Sequence, residues 1–169
     1  MPFHHTYTTD GFVLGGAPVA ESSRYISLLT ADHGLLKARA QGVRELSSKL
    51  RYHLQVFARS DITLVRGKHG WRITNARRTD RPRLHSRGRS AFARIYNVLA
   101  VLCAGEEQNP ELFGAIEGGH TFCRTTELTE RTARLVEVLL VLRALHALGY
   151  VGDEERARDL VGTTTVDDA

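Results

Sequence analysis

The segment GLLKARAQGVRELSSKL, residues 34–50, places Lys37 and Arg39 two positions apart, with Arg44, Lys49 and then Arg51 beyond Gly42. Alternate residues of an extended chain share a face. Lys37, Arg39 and Gln41 therefore project one way, and Leu36, Ala38 and Ala40 the other. Cations spaced like this suit a groove that follows phosphates, where charge neutralisation supplies affinity without reading sequence. A single-strand binder would add aromatic platforms for stacking bases. Tyr25, Tyr52, Phe57 and Trp71 are the candidates, with Phe57 and Trp71 read first as core.

Other chemistry finds little support in residue spacing. The eight histidines are scattered, without the H-E-x-x-H or comparable spacing of a zinc site. Gly67-Lys68 is not a P-loop, because Ile62 and His69 stand where that motif needs glycine and a hydroxyl residue. No G-x-S-x-G or G-x-G-x-x-G occurs, and Ser22, Ser23, Ser47 and Ser48 have no recognisable base. The two cysteines, Cys103 and Cys123, form no C-x-x-C pair and lie in apolar, helix-like surroundings, so both are expected as buried thiols. No catalytic residue, metal or cofactor is expected. The chain reads as a binding protein.

The elements that must position the basic residues follow from the hydrophobic period. DGFVLGGA (10–17), RYISLLT (24–30), LLKARAQ (35–41), DITLVR (61–66) and WRITNARR (71–78) read as five short strands. ADHG (31–34) and GKHG (67–70) supply the turns, with Gly34 free to take positive φ. The longer connection, 43–57, holds a short helix or an irregular crossover. Five strands in about 80 residues close naturally as an OB-type barrel, with an SH3-like barrel as the competitor on pattern alone. A polar, basic linker is expected over 79–90. Beyond it the period becomes helical: Phe92, Ile95, Val98, Leu99 and Leu102 share one face of 91–105. Asn109, Pro110 and Glu111 form a helix start, and a long helix is expected from Thr126 to Leu148, stopped by Gly149. Apolar residues nearly encircle that helix at 135–142, which predicts helices on all sides of it. The end, 162–169, reads as a disordered tail. The fold class is thus α+β, with a five-stranded OB-type barrel (1–80) followed by an all-α helical domain (81–169).

Composition agrees with a folded chain. Of 169 residues, 42% are hydrophobic, ample for a core. No run reaches the roughly 18–20 apolar residues of a membrane span, and MPFHHTYTTDG lacks the pattern of a signal peptide, so a cytoplasmic location is expected. Residues 1–85 carry 14 Lys/Arg against 6 Asp/Glu, whereas 86–169 carry 9 against 13. The first half is a basic module suited to a polyanion.

In their order and spacing, several elements of residues 11–57 resemble the N-terminal domain of RecO, the bacterial recombination mediator. These are the apolar strand ending near Leu14, Glu21-Ser22-Ser23, Leu29-Thr30 before Gly34, Ala40-x-Gly42-x-Arg44, Ser48, and Leu54-Gln55-x-Phe57. Asn109-x-x-Leu112-Phe113 and Leu148-Gly149-Tyr150 extend the resemblance to roughly residues 7–152. It implies an OB fold followed by helices and a non-enzymatic, nucleoid-associated role. That role is to bind single- and double-stranded DNA, anneal complementary strands, and act with RecR to load RecA onto SSB-coated DNA. It places DNA contact on Lys37, Arg39 and Arg44, with Lys49 and Arg51 continuing the basic segment. The acidic SSB tail is expected in an apolar helical pocket, with Arg131 or Arg134 as the charged contact. Many members carry zinc-binding cysteine pairs after the Leu-Gly-Tyr helix. Here no cysteine follows Cys123, which reads as a short form without that region, either natural or truncated. Two other readings stay open: an adaptor whose barrel docks protein partners, and an RNA-binding OB module.

Overall fold

A computed structural model of the chain describes residues 5–80, 84–103 and 105–152. The expected tail and part of the expected linker lie outside these residues. Five strands are present: β1 (Thr6–Pro18), β2 (Arg24–Thr30), β3 (Gly34–Ala40), β4 (Arg59–Gly67) and β5 (Gly70–Arg78). They form a closed barrel in the order β1-β2-β3-β5-β4. β3 runs parallel to β5, and the other pairs are antiparallel. The pairing that closes the barrel is short, Ala38–Ala40 of β3 against Trp71–Ile73 of β5. A one-turn helix, α1 (Leu50–His53), lies in the crossover between β3 and β4, and three long helices follow: α2 (Ser86–Leu102), α3 (Pro110–Thr125) and α4 (Glu130–Ala147).

β1 begins at Thr6, four residues before the expected start. The run Thr6-Tyr7-Thr8-Thr9, β-branched and aromatic, suits a strand, and it pairs with Val65 to Ile62 of β4. The same strand then serves β2 from Gly11 to Pro18, with a bulge between Val13 and Gly15. Such a bulge re-aims side chains. Val13 turns into the barrel interior with Ile26, Leu28, Leu36, Ile62 and Leu64. Phe12 and Leu14 instead join Phe92, Ile95, Leu99, Leu112, Phe113 and Leu140 in a second core between barrel and helices.

α2 begins at Ser86, inside the expected linker, because buried Gly88 packs against Cys123 of α3. At the crossing of α3 and α4, Gly119 leaves room for Leu140, which a Cβ would meet at 2.5 Å. Asn109 caps α3, its side chain accepting from the Leu112 N–H at 2.8 Å. α4 starts at Glu130, four residues later than expected, where Thr129 supplies the cap by accepting from Thr132 N–H at 3.1 Å. Gly149, at φ +77°, ends the helical run. Among the described residues, contrary to expectation, helices do not enclose α4 on all sides. It packs on α2 and α3, yet Leu135 and Val138 remain 60% and 57% exposed.

Two polar devices hold the helices on the barrel. Arg59 of β4 donates to Asp10 Oδ2 from Nε and Nη2 at 2.8 and 2.6 Å, and its Nη2 lies 2.5 Å from Glu117 of α3. Deeper in, Asp80 is fully buried. Its carboxylate takes Arg78 Nε at 2.5 Å and Nη2 at 3.0 Å. His120 of α3, 1% exposed, places Nε2 3.1 Å from the Phe57 carbonyl and 3.5 Å from Asp80 Oδ2. Gly34, at φ +62°, closes the β2–β3 turn directly against the Glu107 backbone, where any Cβ would overlap the carbonyl.

Burial holds the His120 imidazole below its ordinary pKa, outweighing the opposing pull of the Phe57 carbonyl and Asp80, while Arg124 and Arg59 reinforce the lowering. The folded state thus binds fewer protons at His120 than the unfolded state, and stability rises with pH across this window. The contribution is complete above the unfolded value of about 6.5 and is lost as pH falls through the lower folded value. Melting measured between about pH 7.5 and 5.5 is expected to show a fall in stability on acidification that is smaller in His120→Gln. Glutamine retains an N–H donor and does not titrate. Equal pH dependence in the two proteins would show that His120 is not the titrating group.

Candidate nucleic-acid interface

β3 alternates as its sequence predicts, with Leu36, Ala38 and Ala40 buried and Lys37 and Arg39 exposed. Barrel closure then surrounds these two cations with neighbours from other strands. Lys37 lies opposite Ser27 and Arg39 opposite Tyr25 of β2. On the other side, the parallel pairing with β5 sets Arg39 beside Arg72. The row Tyr25, Arg39, Arg72 joins a 40% exposed aromatic ring to two guanidinium groups. Next to it is a depression of about 240 Å³, lined by Arg39, Gln41, Lys68, His69 and Arg72, with the edge of Trp71 at its base.

This face combines phosphate-neutralising cations with one aromatic platform, the pairing used by proteins that bind single strands. Among the described residues, Lys37, Arg39, Lys68 and Arg72 form no ion pair, so their charge is uncompensated. Arg72 and Lys68 are absent from the sequence-based site. The alternation of WRITNARR is enough to turn Arg72 outward, but only the β3–β5 pairing sets it beside Arg39.

The five expected contacts do not form one surface. Gly42, at φ +65°, turns the chain away from β3. Arg44 and Arg51 then line a different cleft, with Arg24, Arg78 and Arg89. Lys49 stands exposed at the start of α1. The crossover is held by the His53 ring, which accepts the Arg78 backbone N–H at 3.2 Å, and by Ser60, which donates to the His53 carbonyl at 2.7 Å.

The aromatic candidates divide similarly. Tyr25 and Tyr52 are exposed, whereas Trp71 is 5% exposed, edge-to-face with Tyr7 and tilted against His33, and Phe57 packs on Tyr96. Of the helical arginines, Arg134 lines a groove of about 700 Å³ between α2 and α4 together with Arg87 and Arg94. Arg134 also bonds Glu130 at 2.6 Å, and Arg131 does not line the groove.

Cys123 is buried, and burial pushes its thiol up to about 11; Cys103 is half-buried and raised for the same reason. No group of side chains suited to holding a metal occurs among the described residues, and none of their helices is long and apolar enough to cross a membrane. His120 and Asp80 are at most 1% exposed, out of reach of a substrate.

A closed five-stranded barrel with helices on its flank is the architecture of an OB-type domain, here with a basic outer face. Comparison with known proteins narrows the class. Residues 1–80 match the family described as Recombination protein O N terminal. The chain is similar to the DNA repair protein RecO of Frankia casuarinae, with 32% identity over 155 residues, covering 85% of this chain and 60% of that protein. RecO of Bifidobacterium adolescentis is 28% identical over 145 residues, covering 84% and 50%. RecO of a Synechococcus species is 32% identical over 101 residues, covering 60% and 35%. The chain belongs to the RecO family, and its matches span between about a third and three fifths of the length of these three relatives.

Proposed function

We propose that the chain is a non-enzymatic DNA-binding and strand-annealing protein of recombinational repair. The observation that carries this reading is the uncompensated row Lys37, Arg39 and Arg72 beside Tyr25 on the outer face of the barrel. OB folds bind oligonucleotides on this part of the sheet, and family membership supports DNA as the polyanion. In this reading residues 1–80 are the DNA-binding domain and 81–169 the helical domain. RecR is the direct partner, SSB-coated DNA the substrate on which RecA is loaded, and the nucleoid the place of action. The two open alternatives, a protein adaptor and an RNA reader, have no observation that favours them over DNA.

The acidic SSB tail fits best in the groove between α2 and α4, lined by Arg87 and Arg134 beside Ala133 and Val138, where it must displace Glu130 from Arg134. Arg131 has no part in this version of the contact. A labelled tail peptide should bind the intact protein and lose affinity in Arg134→Glu. Undiminished binding to that variant would move the tail elsewhere.

Binding to single-stranded DNA should fall with salt, by about 0.7 in log affinity per unit of log salt for each phosphate neutralised. The variant Lys37→Glu/Arg39→Glu/Arg72→Glu should flatten this slope by roughly 2 and weaken all sequences alike, since phosphates carry no base identity. All three side chains point outward, so the melting temperature should change little. Unchanged affinity and slope in the folded variant would reduce this face to a solvated surface and favour the adaptor. A preference for RNA of equal sequence would favour the RNA reader.

A further inference from the structure

A second concave surface lies away from the outer face of the barrel. It is a cleft of about 840 Å³ between the crossover and the start of α2. Arginines reach it from four separate segments: Arg24 from β2, Arg44 and Arg51 from the crossover, Arg78 from β5 and Arg89 from α2. Among the described residues no carboxylate lines it. Arg78 is committed to Asp80 and Gln55, and Arg24 donates from Nη2 to the Gly16 carbonyl at 2.9 Å, leaving its buried Nε without a partner. Arg44, Arg51 and Arg89 form no ion pair among the described residues. Arg89 lies over the Phe57 ring, 5.9 Å from its centroid.

Arg78 is compensated by Asp80, but the other arginines bring charge to the cleft without a carboxylate partner among the described residues. Like charges gathered at a concave surface repel each other, and low-dielectric walls strengthen the effect. The first turn of α2 holds no acidic residue, although the positive end of a helix favours one. Arg89 near that end adds to the positive potential. An anion that enters the cleft relieves all of these costs together. Guanidinium groups match phosphate in geometry as well as in charge, and the apolar floor of Val43, Leu54 and Val56 suits the sugar between phosphates.

We propose that this cleft is a second backbone site for single-stranded nucleic acid, separate from the barrel's outer face, in which Arg44, Arg51 and Arg89 hold consecutive phosphates. The proposal rests on the reading of the chain as a nucleic-acid binder, and assigns Arg89 a role that the basic segment alone does not indicate.

The test titrates the intact protein with oligothymidylate of roughly 16 nucleotides, the upper end of an OB-fold site. It compares the wild type, Arg51→Glu/Arg89→Glu, and Lys37→Glu/Arg39→Glu. The cleft variant should lose about 1.4 from the salt slope, and near 0.1 M salt its affinity should fall on the order of 25-fold. Glutamate in the first turn of α2 favours the helix dipole, so the variant should melt no earlier than the wild type. If it binds as the wild type does while the outer-face variant is weakened, the cleft proposal is overturned and the proposed function stands. No binding by any of the three overturns both. Should decaglutamate bind the wild type but not the cleft variant, with oligonucleotide binding unchanged, the cleft belongs to an acidic protein partner and the proposal fails.

Discussion

A buried carboxylate, Asp80, sets the relation between the two halves of the molecule. Buried charge is costly unless it is paired and hydrogen-bonded. Asp80 meets that requirement with both ends of the Arg78 guanidinium and with His120 close by. Arg78 ends the last barrel strand, and its Nη1 also reaches Gln55 of the crossover at 3.3 Å. His120 belongs to α3 and bonds the Phe57 carbonyl. Three segments distant in sequence are therefore fixed by one charge. Removing a partner from such a pair costs about 3–5 kcal/mol, so the crossover and the helices hold their positions on the barrel together. Phe57 itself stands at φ +69°, a conformation an aromatic residue adopts only when its surroundings enforce it.

The functional surfaces follow from that arrangement. Lys37 and Arg39 need only the alternation of one strand, but the row with Tyr25 and Arg72 requires a closed barrel. Small side chains beneath the row, Ala38 and Ala40, let Trp71 and Ile73 of β5 lie close to β3. The arginine cleft requires more: α1 anchored through His53, and α2 starting near the barrel end with Arg89 in its first turns. Each surface uses charge that the fold leaves unpaired, whereas Arg59, Arg78 and Arg94 are consumed by Asp10, Asp80 and Glu137 within the structure. Position in the fold thus separates structural arginines from available ones.

Local chemistry made much of this legible in the sequence. The period-2 pattern of 35–41, the turn glycine Gly34 and the Asn109-Pro110 helix start all stand as read, because each depends on neighbours a few residues away. Failures occur where distant segments decide. Arg44 and Arg51 leave the surface of Lys37 because the chain turns at Gly42. Arg72 joins that surface through a parallel pairing that spans more than thirty residues. Among the described residues Leu135 and Val138 are exposed, since the apolar pattern of α4 does not specify which segments pack on it. Asp80 and His120, which read as an ordinary linker acid and a scattered histidine, gain their importance only when α3 packs on the barrel.

The central claim is that nucleic acid engages the barrel's basic face and the arginine cleft, and the most direct measurement maps contact residue by residue. Backbone amide shifts of the intact protein would be followed by NMR during titration with oligothymidylate at low salt. The account predicts the largest changes at Tyr25, Lys37, Arg39 and Arg72, and at Arg44, Arg51 and Arg89. Changes confined to α3 and the exposed side of α4, with the barrel unperturbed, would contradict it.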